Sequence, residues 1–154
     1  MLVLWTAGHG KDVIDLYETG GRFVRSFGRG ILNKPSGIAA GNERRVLVVD
    51  YSCVHVFSEE GNHLFAFRLR KAELLGRYKI AFHKESELIF IVGSKSCKIT
   101  MLIYTKDGEY VSSIELPDNR CEGGYASAIT ATSVGGITIG FVVKGHKSIE
   151  IVVY

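Results

Sequence analysis

Residues 35–70 contain four short apolar runs separated by polar breaks, and this pattern restricts the fold of the chain more than any other feature. The runs are Gly37–Ala40, Val46–Val49, Val54–Phe57 and Leu64–Phe67, and the breaks are GNERR, DYS and SEEGNH. Short runs rich in Val, Ile and Phe between Gly, Asn, Asp and Ser are typical of strands, and the breaks are too short to hold a helix. Because such connections allow only antiparallel pairing between neighbours, the segment predicts a four-stranded meander.

The same meander recurs along the chain. Three closing segments, GRFVRSFG, GNHLFAF and GEYVSSI, each follow an apolar strand and a polar turn, and each begins with a glycine that supplies the positive φ of a tight reversal. The repeat of about 40 to 49 residues predicts the blades of a β-propeller. Candidate inner strands are Gly37–Ala40, Ile80–His83 and Ala128–Thr132, and candidate second strands are Val3–Thr6, Val46–Val49, Leu88–Val92 and Ile137–Phe141.

The repeat predicts an all-β chain of four units, about 1–30, 31–70, 71–116 and 117–154, with three, four, four and three strands. The first unit lacks its inner strand and the last unit its outer strand, so these two blades are incomplete. An arc of this kind exposes apolar faces and strand edges, which favour a homo-oligomer. We therefore expect an open arc, or part of a larger ring in a longer protein, more than a closed ring of four blades.

The PSGIA opening, the VLVVD second strand, the VHVF third strand and the GRFVRSFG closing segment together resemble the NHL-repeat family of β-propellers. The chain departs from the family at Gly41, where the first strand normally ends in an acidic residue, and in its shortened Tyr51-Ser52 link. The resemblance implies a propeller which, in tripartite-motif proteins, follows a RING and a coiled coil and binds RNA or recruits a protein target. Any ubiquitin-ligase activity would then belong to a RING, and this sequence has no RING-like array of Cys and His.

Composition indicates an ordinary globular domain of 154 residues, with 46% hydrophobic and 23% charged residues. No apolar run approaches the roughly 20 residues that a membrane helix needs, and the N-terminus does not have the pattern of a signal peptide. The three cysteines, Cys53, Cys97 and Cys121, share no C-x-x-C spacing, which favours reduced thiols in an intracellular protein. We expect a cytoplasmic protein without a membrane partner.

The predicted loops divide the charges unequally between the two faces of the arc. Alternate connections of a meander emerge at opposite ends, so the links between second and third strands share a face with the links between units. That face carries a net charge of +8 and the other −3, although the whole chain is only +3. A positive surface with aromatic side chains, such as Tyr51 and Tyr78, suits single-stranded RNA, and it suits an acidic protein segment equally. The residues predicted to contact such a partner are Arg29, Lys34, Tyr51, Arg70, Lys71, Arg77, Lys95 and Lys98.

Catalytic patterns are weak. The five histidines are dispersed without metal-ligand spacing, and no G-x-S-x-G nucleophile elbow is present. His55 alternates with Val54 and Val56, which predicts a packed or hydrogen-bonded side chain. The sequence therefore predicts a non-catalytic recognition module with no cofactor and no metal. The alternatives are a metal-dependent propeller hydrolase or lyase, and a scaffold without a ligand.

Overall fold

The fold was described from a computed structural model, in which the described residues are 2–5, 12–70, 77–95, 98–116, 125–132, 136–142 and 149–153. Along these residues no helix is long and apolar enough to cross a bilayer. The strands are β1 (Leu2–Trp5), β2 (Val13–Tyr17), β3 (Phe23–Phe27), β4 (Gly37–Ala40), β5 (Val46–Val49), β6 (Cys53–Phe57), β7 (His63–Arg68), β8 (Arg77–His83), β9 (Leu88–Lys95), β10 (Lys98–Thr105), β11 (Tyr110–Leu116), β12 (Tyr125–Ala131), β13 (Ile137–Val142) and β14 (Ile149–Val153).

Four antiparallel sheets follow one another along the chain. The first sheet is β1-β2-β3, the second β4-β5-β6-β7, the third β8-β9-β10-β11 and the fourth β12-β13-β14. Every strand pairs with its neighbour in sequence, as a meander requires. The all-β prediction of four blades, the first and last incomplete, is therefore confirmed.

Neighbouring sheets pack face to face and form an open arc of the β-propeller kind. Inner strand β4 lies beside β8, and β8 lies beside β12. The apolar run of β5 is buried on both faces: Val46 and Val48 join the cluster against the first sheet, whereas Leu47 and Val49 join the cluster against the third. Because both of its faces are buried, a strand that lies between two other sheets carries apolar residues at consecutive positions. The β9 strand has the same pattern between the second and fourth sheets.

The outer strands of successive sheets meet end to end. Gly61, in the β6–β7 turn, lies against Phe27 of β3, and a Cβ there would be 2.8 Å from the Phe27 side chain. Gly108, in the β10–β11 turn, lies against Phe67 of β7, where a Cβ would be only 2.5 Å away. Both glycines have a φ near +90° (+89° and +88°), so the turn and the close approach each require glycine. The outer strand of one sheet thus ends on the turn before the outer strand of the next.

Candidate functional site

The β5–β6 and β9–β10 connections emerge at one end of the second and third sheets, which we call the loop end. Tyr51 lies in the β5–β6 link, and Lys95 and Lys98 are register partners that flank the β9–β10 link. Arg77 begins β8 opposite Ser94, so the register places it at the same end of the third sheet. Strand β8 begins three residues earlier than the predicted Ile80, and Arg77 is therefore a strand residue.

Hydrogen bonds donated by backbone N–H groups join the loop end of the second sheet to the start of β8. The Tyr51 N–H donates to the Asn33 carbonyl oxygen at 3.1 Å, and the Ser36 N–H donates to the Val49 carbonyl oxygen at 2.9 Å. The Tyr78 N–H in turn donates to Ser36 Oγ at 3.2 Å. The segment that carries Lys34 is consequently fixed between the two sheets. Five of the eight predicted contact residues share this end: Lys34, Tyr51, Arg77, Lys95 and Lys98.

Two aromatic residues that were predicted to stack on bases differ sharply in exposure. Tyr51 is 66% exposed, so its ring can be approached from solvent. Tyr78 is only 2% exposed and packs in the cluster between the second and third sheets. The prediction of a surface role for Tyr78 is wrong, because β8 already includes this residue and directs its ring into the core.

Two of the other predicted residues, Arg29 and Arg70, have different surroundings. Arg29 is exposed in the turn after β3. The Arg70 N–H donates to Tyr104 Oη at 2.8 Å, and its guanidinium lies 4.5 Å from the centre of the Tyr110 ring. Burial raises the pKa of Tyr104, which keeps its hydroxyl neutral beside this cation. Arg70 therefore joins the outer edges of two sheets and stacks on a ring, whereas Lys71 lies outside the described residues.

The β5–β6 link is built around the buried carboxylate of Asp50, which is 4% exposed. Its Oδ1 accepts hydrogen bonds from the N–H groups of Ser52 (3.0 Å) and Cys53 (2.9 Å), and its Oδ2 accepts from the Asn33 N–H (3.2 Å) and from His55 Nε2 (2.9 Å). Burial acts to raise the pKa of Asp50, but these donors outweigh it and hold the pKa below its ordinary 3.8. The carboxylate is therefore ionised at neutral pH.

His55 is 8% exposed and hydrogen-bonded through both ring nitrogens, which confirms the packed histidine predicted from the alternation in β6. Its Nε2 faces Asp50, and its Nδ1 lies 3.2 Å from Nε2 of His63. His63 is exposed at the start of β7, but partial desolvation of its ring, and then repulsion by His55, lower its pKa below 6.5. Sequence reasoning missed the joint arrangement of Asp50, Cys53 and His55, whose ligand atoms all lie within 4.8 Å of one another. The signal that could have found it was an acidic residue at a strand end followed by Cys-x-His on the next strand.

The fold and this surface define a β-propeller with a basic and aromatic loop end. No family model matches the chain. A stretch of 60 residues, 38% of this chain, is 38% identical to the protein brain tumor of Drosophila melanogaster and spans 6% of that protein.

Solved structures share the architecture at low sequence identity. A chain of the hydrazine synthase of Kuenenia stuttgartiensis superposes with a TM-score of 0.68 at 10% identity, covering 99% of this chain and 42% of that one. A streptogramin B lyase gives 0.65 at 16% identity, covering 99% and 50%. A chain from a nidogen–laminin complex gives 0.61 at 18% identity, covering 97% and 60%. These likenesses establish the propeller fold, and this chain spans about half the length of such relatives.

Proposed function

We propose that this chain is a non-catalytic recognition module of the NHL-repeat type and that its loop end binds single-stranded RNA. The observation that carries the proposal is the backbone placement of Lys34, Tyr51 and Arg77 where the second and third sheets join, with Lys95 and Lys98 at the same end. Cations neutralise phosphates, and an exposed tyrosine offers a stacking platform for an unpaired base.

The sequence comparison supports the same proposal. The stretch that is similar to brain tumor, a protein with NHL repeats, agrees with the motifs that resemble the NHL family. By contrast, the inner strands are unsuited to metal-dependent catalysis along the described residues. A channel site needs carboxylates or imidazoles from several inner strands, whereas Ile38, Ala39, Ile80 and Ala81 are apolar. These four residues offer no ligand for the chemistry of the lyase that shares this fold.

The test is binding of fluorescein-labelled single-stranded RNA of mixed sequence, followed by anisotropy across a salt titration. Arg77, Lys95 and Lys98 are replaced together by Ala. If each contacts one phosphate, the slope of log K against log salt falls by about 2, since each contact on a single strand contributes about 0.7. In a second variant, Tyr51→Ala weakens binding by about 1–3 kcal/mol while Tyr51→Phe preserves it, because only the ring is needed for stacking.

The matched control replaces Arg44, Arg45 and Lys84, three cations at the opposite ends of the same two sheets, and removes the same total charge. Binding that depends on net charge alone would fall equally in both triple variants, and this would contradict a specific surface. Tight binding of an acidic peptide at the loop end, with no measurable affinity for RNA, would replace the proposal with a protein partner. Light scattering on each sample reports whether two copies associate.

A further inference from the structure

Three metal-ligating side chains converge where β5 turns into β6. Cys53 and His55 are two residues apart on β6, so they lie on the same face of the sheet, the face towards the first sheet. The three-residue link 50–52 places Asp50 beside them. The carboxylate oxygen, the thiol sulfur and the imidazole nitrogen lie within 4.8 Å of one another. In a tetrahedral zinc site such atoms are about 3.3 to 3.6 Å apart, so modest side-chain rotations bring them to bonding positions.

Backbone groups already hold the carboxylate of Asp50 in place. The N–H groups of Ser52 and Cys53 bind Oδ1, and the N–H of Asn33 binds Oδ2. The remaining donor on Oδ2 is His55 Nε2, at 2.9 Å. If a cation replaces the proton between His55 Nε2 and Asp50 Oδ2, the three hydrogen bonds from backbone N–H groups are kept. Asp50 Oδ2 and His55 Nε2 then both become ligands of the cation.

We propose that Asp50 Oδ2, Cys53 Sγ and His55 Nε2 bind a divalent zinc-like ion, with water as the fourth ligand. A carboxylate and a thiolate neutralise the two positive charges, which lowers the cost of placing the ion between two sheets. A set of one sulfur, one nitrogen and one oxygen suits Zn²⁺ or Co²⁺ and is unsuited to Ca²⁺ and Mg²⁺, which prefer oxygen ligands alone. The site lies between the first and second sheets, and none of its ligands is a residue of the proposed RNA surface, although Tyr51 of that surface lies in the same β5–β6 link.

The protons balance in two steps. An ionised carboxylate only accepts, so in the metal-free protein His55 Nε2 carries the proton and donates it to Asp50, while His55 Nδ1 accepts from His63. On metal binding, His55 Nε2 must present its lone pair to the ion, so the proton of the His55 ring moves to Nδ1. His55 Nδ1 then donates a hydrogen bond to His63 Nε2. The proton that His63 carried on Nε2 shifts to its Nδ1. The thiol releases one proton to solvent. His63 is thus a positioning residue that fixes the tautomer of a ligand.

The experiment uses the full chain with Cys97→Ser and Cys121→Ser, which leaves Cys53 as the only cysteine of the three. Titration with Co²⁺ alone is followed by absorption. Expected are the visible d–d bands of a tetrahedral ion and a near-ultraviolet thiolate-to-cobalt band, both abolished by Zn²⁺ competition. In this background Cys53→Ser removes the thiolate band. His63→Leu weakens binding about 10- to 100-fold, and His63→Gln, which can still accept the Nδ1 proton, restores it.

His83→Gln is the control for loss of a histidine elsewhere, because His83 is as buried as the ligand His55 (7% against 8% exposed) but lies in the third sheet. It leaves the cobalt spectrum and affinity unchanged. The proposal is overturned if no thiolate band appears, if the band survives Cys53→Ser, or if His63→Leu and His83→Gln behave alike.

Should Cys53→Ser fail to fold, alkylation of Cys53 in the folded background protein tests the same thiolate–metal bond. A metal-bound thiolate is a poor nucleophile, so Zn²⁺ slows alkylation at least about tenfold. An unchanged rate overturns the proposal. No RNA is present in any of these measurements, so metal binding and the proposed function can fail independently.

Discussion

The interface between the first and second sheets and the interface between the second and third sheets are built from the same repeat but differ in polarity. Each has an outer-strand phenylalanine under a turn glycine of the next sheet, Phe27 under Gly61 and Phe67 under Gly108. The second interface is otherwise apolar at its centre, whereas the first includes the hydrogen-bonded chain from Asp50 through His55 to His63.

One repeat position accounts for this difference. His55 and Leu102 each stand two residues before the aromatic residue near the end of the third strand, Phe57 in the second sheet and Tyr104 in the third. Leu102 is fully buried among apolar neighbours. His55 is almost as buried because each of its nitrogens has a partner, and a buried polar group without one would be costly. The backbone repeat therefore sets the packing, and single side chains decide whether an interface serves stability alone or can also bind a ligand.

The largest expected effect comes from removing packing at the apolar interface. Leu102→Ala lowers the free energy of unfolding by about 3 kcal/mol, because it leaves a cavity in a cluster that solvent does not reach. Urea unfolding measures this loss in the free energy of unfolding. Leu64→Ala is the control: this leucine is 47% exposed on β7, and its truncation costs less than about 0.5 kcal/mol. Equal losses would show that the second–third interface is not the main source of stability.

Substitutions of turn glycines test the contact between a turn glycine and an outer-strand phenylalanine, which both interfaces share. Gly108→Ala destabilises by about 3 kcal/mol, since about 1 kcal/mol of left-handed backbone strain adds to overlap with Phe67. Gly21 has a similar φ of +83° but no neighbour within 4 Å of a Cβ, so Gly21→Ala costs only the strain, about 1 kcal/mol. Chemical denaturation of both variants separates strain from overlap. Equal costs for the two substitutions would argue against end-to-end packing of the outer strands.

The smallest effect is a pH dependence confined to the polar interface. The pKa of His63 is depressed below 6.5 in the folded protein, so the unfolded chain takes up the proton first as the pH falls. The contribution to stability is complete above pH 6.5 and is lost as the pH drops through the folded pKa. Unfolding free energies at pH about 7.5, 6.5 and 5.5 should decrease in that order, and less steeply in His63→Gln. Identical slopes would contradict the lowered pKa of His63 in the folded protein.

Local patterns were sufficient for the architecture. The runs Gly37–Ala40 and Val46–Val49 were predicted with their observed bounds, because strand periodicity and short breaks leave few alternatives. The start of β8 was missed: Arg77 and Tyr78 precede the apolar run at Ile80, and Tyr78 enters the strand through pairing with Gly93 and burial against the second sheet. Such tertiary pairing is not visible in a single segment.

The sequence by itself determined the strands, the glycine turns and the division into sheets, since these depend on neighbours within a few residues. Only the tertiary structure decided which side chains meet. The ends of the outer strands reach the next sheet, so Arg70 stacks on Tyr110, whereas Lys34, Tyr51 and Arg77 lie where the second and third sheets join. The physical reason is that contacts between sheets depend on the packing of whole sheet faces, which brings together residues far apart in the chain. A strand, by contrast, depends on the alternation of apolar and polar residues along its own few positions.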